Sequence, residues 1–191
     1  YDKYEEIIGS LLDDNKSLKP TIISKGGVLS HLDKKKFLND FKIKEGDEKD
    51  YFPFKKYSLF SLDETVLAFQ IENSLKRLKM ETLDVFIIQY PEQYLIEGLM
   101  NQESFYNKIN QLITFLEKKV EEKKIKEYGF SSSFFSMEEE KKINLEKVIS
   151  LSKSGRKKNH FKWVEFPLNL IERDALERGK AGKSLIDLAQ S

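Results

Sequence analysis

One lysine stands where the chain could place a catalytic group. Lys25 follows the β-branched run at residues 21–24 and precedes two glycines, a pattern that predicts a buried strand ending in a turn. A barrel places its active-site side chains at the carboxyl ends of such strands. The chemistry open to a lysine there is that of an ammonium group, which lowers the pKa of an acidic neighbour such as a phenol.

Composition argues against several other kinds of site. The sequence has no cysteine, which rules out disulfides, thiolate catalysis and cysteine metal sites. His31 and His160 lack an acidic or histidine partner at metal-ligand spacing, so we expect no metal site. No strand is followed by GxGxxG or GxxxxGK[ST], so the phosphate-binding loops of Rossmann and P-loop proteins are missing.

The charge and hydropathy of the chain limit the kinds of partner that we expect for it. Its 33 basic and 32 acidic residues leave a net charge of +1, which gives no field to attract nucleic acid or an anionic membrane. No apolar stretch approaches the roughly 20 residues that cross a bilayer, and no signal-type segment opens the chain. We therefore predict no nucleic-acid partner and no membrane span. The compartment stays open: cytoplasmic by default, or organellar if a targeting segment has been removed.

Helical and strand patterns alternate along the chain. Amphipathic stripes predict helices over 2–14, 61–78, 103–124, 137–152 and 184–190, and short apolar runs predict strands over 21–24, 83–90, 125–130 and 163–166. Ser61 to Glu64 has the form of a capping box, and Arg77 fits a solvated face of the helix that follows. Residues 28–60 show no sustained period and are predicted to be an extended loop with a short helix near 34–41.

This alternation is typical of successive βαβ units and predicts a parallel sheet of the α/β class. Periodicity alone does not distinguish a doubly wound sheet from a part of a (β/α)8 barrel, because both use right-handed crossovers. At 191 residues the chain is long enough for one well-buried domain. It is shorter than the roughly 250 residues of a complete barrel.

Five segments resemble the aldo-keto reductase family, and they occur in the family's order. The segments are YDKYEEIIG at 1–9, IISKGG at 22–27, SLKRLKMETLDVFIIQYPE at 74–92, KKIKEYGFSS at 123–132 and EFPLNLIER at 165–173. The third is similar to the family signature S-L-x-R-L-x-x-x-x-x-D-x-x-x-x-H-x-P-[DE]. The resemblance implies a partial (β/α)8 TIM barrel. It predicts a single domain over 1–191, the central part of the barrel, with the first strand and the last two strands not present.

The resemblance also implies an NADP(H)-dependent reduction of a small carbonyl substrate. In that family a tyrosine supplies the proton, and a lysine, an aspartate and a histidine tune it. Tyr1 occupies the place of the tyrosine and Lys25 that of the lysine. Gln89 stands in the place of the histidine, and its amide can donate a hydrogen bond but does not titrate near neutral pH.

A second set of positions resembles the family's nicotinamide site. Ser131 and Ser132 match the Ser-Asn pair that holds the carboxamide, and Glu165 matches a glutamine that does the same. A carboxylate only accepts hydrogen bonds where an amide both donates and accepts. The resemblance therefore implies NADP(H) as cofactor with an altered set of polar contacts.

Three functions remain open at this point. The first is an active aldo-keto reductase. The second is a catalytically degenerate subunit with a structural or assembly role, in which a protein partner covers the open sheet edges, since soluble proteins normally pair or cover such edges. Gln89, Glu165 and the charge-rich stretch after Gly27 favour this pseudoenzyme. The third is a regulatory subunit that binds nucleotide to sense redox state.

Overall fold

The structure, a computed structural model, describes residues 2–43, 52–54, 58–135, 143–178 and 182–190. Tyr1 and residues 136–142, where the expected helix 137–152 begins, lie outside them. The helices are α1 (Asp2–Asp14), α2 (His31–Asp40), α3 (Glu64–Leu78), α4 (Gln93–Ile96), α5 (Gln102–Glu121), α6 (Leu145–Lys153) and α7 (Leu185–Ala189), with a 3-10 turn at Asp174–Leu176. The strands are β1 (Ile23–Gly26), β2 (Val28–Leu29), β3 (Phe52–Phe54), β4 (Ser58–Phe60), β5 (Leu83–Gln89), β6 (Ile125–Ser131) and β7 (Phe161–Glu165).

Four strands form a parallel sheet with the order β1-β5-β6-β7. Helices separate them along the chain, so the predicted α/β class and its alternating strands are confirmed. β5 is buried along almost its whole length, as expected of an apolar strand covered on both faces. Within the described residues no helix is both long enough and apolar enough to cross a membrane.

The chain divides into two compact units. The first is Tyr1–Phe86 with Lys119–Lys126, and the second is Ile87–Lys118 with Glu127–Ser191. The first unit carries the helices α1 to α3 and the strands β1 to β4. The second carries α4, α6, α7, β7 and most of α5 and β6.

The described residues between 28 and 60 contain strands that the loop prediction did not include. β2, β4 and β3 form a small antiparallel sheet, in which Val28 pairs with Phe60 and Leu29 with Leu59. The short helix is confirmed as α2, and Ser30 caps it by accepting from the Asp33 N–H. The loop prediction was wrong because the three strands have only two or three residues each, too few to show a period. Leu29 of β2 and Phe37 of α2 are buried in one cluster with Val66 of α3.

α3 begins at a different cap from the one predicted. Asp63, not Ser61, is the N-cap residue, and its carboxylate accepts from the Thr65 N–H at 2.8 Å. Ser61 lies two residues earlier and accepts from the Asp63 N–H at 3.1 Å. Ser61 and Asp63 are both residue types that cap helices. Asp63 carries the negative charge that the positive end of the helix dipole favours, and it forms the cap.

Arg77 was predicted on a solvated helix face, and this was wrong. Its side chain is only 15% exposed, and it joins Glu5 of α1 at 2.8 Å to Asp33 of α2 at 3.1 Å. Glu5 also accepts from Ser24 at 2.8 Å and from Ser74 at 2.9 Å. The network therefore ties the helices α1, α2 and α3 to strand β1. Sequence spacing did not indicate it, because its partners are 44 and 72 positions away from Arg77.

The contact between α1 and α3 depends on the absence of a side chain at Gly9. A Cβ atom there would lie 2.3 Å from the Arg77 carbonyl oxygen, a backbone atom that cannot move away alone. Alanine normally stabilises a helix by about 1 kcal/mol over glycine. We expect Gly9→Ala instead to destabilise the protein by roughly 1–3 kcal/mol, since overpacking separates the two helices.

Urea unfolding of Gly9→Ala measures this effect. The matched control is Ser10→Ala on the exposed face of the same helix, which gains helix propensity and meets no backbone. A Gly9→Ala protein that is as stable as Ser10→Ala would show that α1 and α3 are not packed at this distance.

In the second unit, the carboxylate of Glu117 in α5 hydrogen-bonds to Tyr128 of β6 and to His160, which directly precedes β7. Its Oε1 accepts from the buried Tyr128 hydroxyl at 2.7 Å and from the His160 backbone N–H at 3.0 Å. Its Oε2 lies 2.6 Å from Nδ1 of the His160 ring. Burial alone would raise the pKa of Glu117. The hydrogen bonds from His160 and Tyr128 have the larger effect, so the pKa in the folded protein is below its ordinary value. His160 thus has a structural carboxylate partner that lies 43 residues away in sequence.

Candidate active site

Polar side chains gather where β6 and β7 end. In the register of these strands Ser131 lies beside Glu165, and the Ser131 hydroxyl donates to the Glu165 carboxylate at 2.9 Å. The Ser132 backbone N–H donates to the Glu165 carbonyl at 3.0 Å. The structure thus brings together the three residues that the sequence predicted for the cofactor. They lie at the carboxyl end of the sheet, where barrel enzymes bind their ligands.

Gly129 allows the two strands to approach in this register. A Cβ atom at Gly129 would lie 2.0 Å from the Trp163 carbonyl oxygen, so no other residue fits without moving β7. The register also shifts by one residue between Tyr128 and Gly129. A bulge of this kind changes the direction in which the following side chains point. Gly129 therefore helps to place Ser131 opposite Glu165.

Gln89 ends β5 and is buried. The next residue, Tyr90, donates its backbone N–H to the Ser131 carbonyl at 2.8 Å, so Gln89 lies one strand away from the Ser131–Glu165 pair. Its amide can donate one hydrogen bond to a carbonyl oxygen. An acid–base role near neutral pH is closed to it, because an amide does not titrate there.

Lys25 lies in the first unit, at the carboxyl end of β1, and is half-buried. The turn after it is held by Gln70 of α3, whose side chain accepts from the Gly27 N–H and donates to the Val28 carbonyl, both at 2.9 Å. Sequence reasoning missed Gln70, because a glutamine in an amphipathic helix carries no signal of its own. Tyr1, the proposed proton donor, lies outside the described residues.

Glu92 is the second residue that sequence reasoning missed as a functional group. It follows Pro91, three residues after β5 ends, and is 0% exposed. Neither of its carboxylate oxygens makes a hydrogen bond of normal geometry within the described residues. Burial raises the pKa of Glu92 to about 7, while the hydrogen-bonding influence of its own N–H, the Ser132 hydroxyl and the Ser133 N–H opposes this rise. Glu92 matches the acidic residue that ends the family signature at 74–92, but nothing in the sequence indicated that it is buried.

A small cavity adjoins these residues in the second unit. It has a volume of about 210 Å³. Its walls come from the segments that directly follow Ser132 and Glu165, together with residues near α7. They are Ser133, Phe134, Phe135, Phe166, Pro167, Glu172, Ala175 and Leu185. Three phenylalanines line it together with the polar residues Ser133 and Glu172, and its volume is below the roughly 300–1,000 Å³ that is usual for a small-molecule site.

The fold of the chain is similar to that of solved aldo-keto reductases. The glycerol dehydrogenase from Gluconobacter oxydans matches 88% of this chain with 20% identity and a TM-score of 0.53. A thermostable aldo-keto reductase solved with the inhibitor epalrestat matches 90% with 19% identity and a TM-score of 0.51. The chain spans 38% and 43% of those two proteins. No protein-family model and no curated protein sequence matches it.

These comparisons bear on the choice between the two α/β architectures. A doubly wound sheet and a barrel segment have the same local alternation of strands and helices. The two similar structures align over most of this chain, and each continues well beyond the length it covers. The chain therefore has the fold of a part of the aldo-keto reductase (β/α)8 barrel.

Proposed function

We propose that the chain is a single-domain part of an NADP(H)-dependent oxidoreductase of the aldo-keto reductase family, which reduces a small carbonyl compound by hydride transfer. The Ser131–Glu165 pair supports this most directly. It lies at the carboxyl ends of two adjacent parallel strands, beside an aromatic cavity, at positions that resemble the family's nicotinamide site. Tyr1, Lys25 and Gln89 belong to this proposal as the groups that act on the substrate oxygen.

The polar groups present fit a nicotinamide carboxamide through its N–H₂ group. Ser131 donates to Glu165, so both residues offer acceptor atoms to a ligand. An amide N–H₂ has two donors and satisfies such a pair. NADPH, when bound, supplies the hydride. Gln89 would then polarise the substrate carbonyl through its amide N–H₂, a contribution that needs no proton transfer.

Titration with NADPH tests the proposal. Trp163 is the only tryptophan of the chain and precedes Glu165 by two residues in β7, so both side chains lie on the same side of the strand. We expect its fluorescence to be quenched with a Kd in the micromolar range. Absence of quenching at millimolar NADPH, together with unchanged nucleotide emission, would contradict the proposal.

Glu165→Gln should change the balance between oxidised and reduced nucleotide. A carboxylate about 6 Å from a pyridinium in water-like surroundings is worth about 0.7 kcal/mol, because Glu165 is exposed and solvent screens its charge. The natural chain should therefore favour NADP⁺ relative to NADPH by about threefold more than the Glu165→Gln variant does.

The measurement is the ratio of the two dissociation constants in each protein. Glu146→Gln, at an exposed position of α6, removes the same charge elsewhere and should leave the ratio unchanged. An equal ratio in all three proteins, with nucleotide bound, would place Glu165 away from the nicotinamide ring.

A structural role without turnover is the second candidate function. One observation favours it: the outward face of α1 exposes Tyr4, Ile7 and Leu11, which have helical spacing and are 72%, 50% and 54% exposed. A scaffold subunit would bind no nucleotide and would associate through such a face. A redox-sensing subunit would bind nucleotide but would show no turnover with any carbonyl substrate.

A further inference from the structure

The turn between β5 and α4 has an unfavourable backbone conformation. Tyr90 has a φ of +49°, a left-handed value that residues with a side chain rarely adopt. A following proline disfavours helical conformations for the residue before it, and Pro91 follows here. Backbone of this kind persists where the surroundings hold it, and such positions cluster at functional sites. The consequence of this turn is that Glu92 enters the protein interior.

Burial of Glu92 has no structural explanation in the hydrogen bonds around it. The residue is the N-cap of α4, yet its side chain does not cap the helix. A buried carboxyl group that makes no hydrogen bond of normal geometry is destabilising, and native proteins have few of them. The carboxyl group therefore does not serve the fold, which leaves a role in the adjoining site.

The neighbours of Glu92 form a wall of the aromatic cavity. The Ser132 hydroxyl and the Ser133 N–H lie close enough to the carboxyl group to lower its pKa, although neither makes a hydrogen bond of normal geometry with it. The Ser132 hydroxyl also accepts from the Phe134 N–H at 2.9 Å, which fixes the turn 132–135. Ser133, Phe134 and Phe135 line the cavity. A change in the protonation of Glu92 can therefore move the cavity wall through the Ser132 hydroxyl and the Ser133 N–H.

The two protonation states of Glu92 act differently on this turn. A neutral carboxyl group can donate to the Ser132 oxygen, which leaves the bond from Phe134 in place. A carboxylate only accepts, so it attracts the Ser132 hydroxyl and the Ser133 N–H towards itself. Three charged side chains of the described elements around this turn are Glu97, at the end of α4, Glu165, whose carboxylate accepts from Ser131, and Glu172, which lines the cavity.

We propose that Glu92 is a positioning residue of the candidate site, which holds the turn 132–135 in its binding form as a neutral acid and releases it as a carboxylate. This inference rests on the proposed function, since it concerns the same site. It predicts that ligand binding is coupled to the uptake of a fraction of a proton near neutral pH. If the turn loses one hydrogen bond, the binding free energy weakens by about 1 kcal/mol, which corresponds to about fivefold weaker binding at alkaline pH.

The experiment is a titration with NADP⁺ from pH 5.5 to pH 8.5, followed by Trp163 fluorescence. The 2′-phosphate of the nucleotide titrates in the same range, so the comparison is between proteins. The natural chain should lose about fivefold more affinity across this range than Glu92→Gln, which keeps the shape of the side chain but does not ionise. Glu97→Gln, an exposed change on the same short helix, should behave as the natural chain does.

The outcomes separate the inference from the proposed function. A steep profile for the natural chain and a flat one for Glu92→Gln support the inference. Equal slopes in both proteins, with nucleotide bound, overturn it and leave the proposed function intact. Absence of binding by the natural chain at every pH overturns both. If Glu92→Gln does not fold, Ser132→Ala serves instead: it should lose at least half of the pH dependence, and an unchanged slope overturns the inference.

Discussion

Glu92→Gln is expected to unfold at a higher urea concentration than the natural protein at pH 8, and at nearly the same concentration at pH 4. The pKa of Glu92 is raised from 4.5 to about 7 by burial. The folded protein therefore binds more protons than the unfolded chain between these pH values. The stability contributed by the neutral carboxyl group is complete below about pH 4.5 and is lost as pH rises through 7.

The expected gain of the variant at pH 8 is roughly 3 kcal/mol, from about 1.4 kcal/mol for each unit by which the pKa is raised. Urea unfolding at several pH values measures it. Glu97→Gln removes an exposed carboxylate from the other end of α4 and should follow the curve of the natural protein. Parallel curves for the natural protein and Glu92→Gln would mean that Glu92 is solvated in solution.

Glu117→Ala should be the most destabilising of the side-chain changes considered. It removes the acceptor of the buried Tyr128 hydroxyl and of two N–H groups of His160. Since a buried donor without a partner costs about 1–3 kcal/mol, we expect a loss of roughly 3–4 kcal/mol after relaxation around the exposed His160 edge. Glu117→Gln keeps one acceptor oxygen and should lose about half as much.

Thermal and urea unfolding measure this loss, with Glu121→Ala as an exposed control on the same helix. The pH dependence gives an independent check. The pKa of Glu117 is lowered in the folded protein, so the stability that it contributes is present above its unfolded pKa and is lost as pH falls through the folded value. In Glu117→Gln this acid-induced loss should be absent. A variant as stable as Glu121→Ala would mean that solvent already satisfies Tyr128 and His160.

The elements that the sequence predicted well share one property: their apolar residues repeat over many positions. α5 has a buried stripe that runs from Phe105 to Leu116, and β5 is buried as its apolar run indicated. The short strands β2, β3 and β4 lacked that length. Leu29 of β2 and Leu59 of β4 pack in one cluster with Val66 of α3, a contact that no local sequence pattern predicts.

The candidate site was predictable where it rests on strand ends and less so where it rests on turns. The family resemblance placed Ser131 and Glu165 at the ends of strands, and their side chains are hydrogen-bonded in the structure. The resemblance covers Glu92 but did not indicate its burial, which depends on segments about 40 residues further along the chain. The same reason applies to Arg77, whose partners lie on other helices.

The network around Arg77 has a consequence for how this sequence can change over time. Arg77 forms ion pairs with Glu5 and Asp33 on two different helices, and each of the three side chains is at most 15% exposed. Loss of the arginine alone would leave two acids facing each other in a poorly solvated place, which is strongly unfavourable. Loss of one acid is milder. Substitutions at these positions should therefore covary among homologues. The arginine should be replaced only where at least one of the two acids has already been replaced.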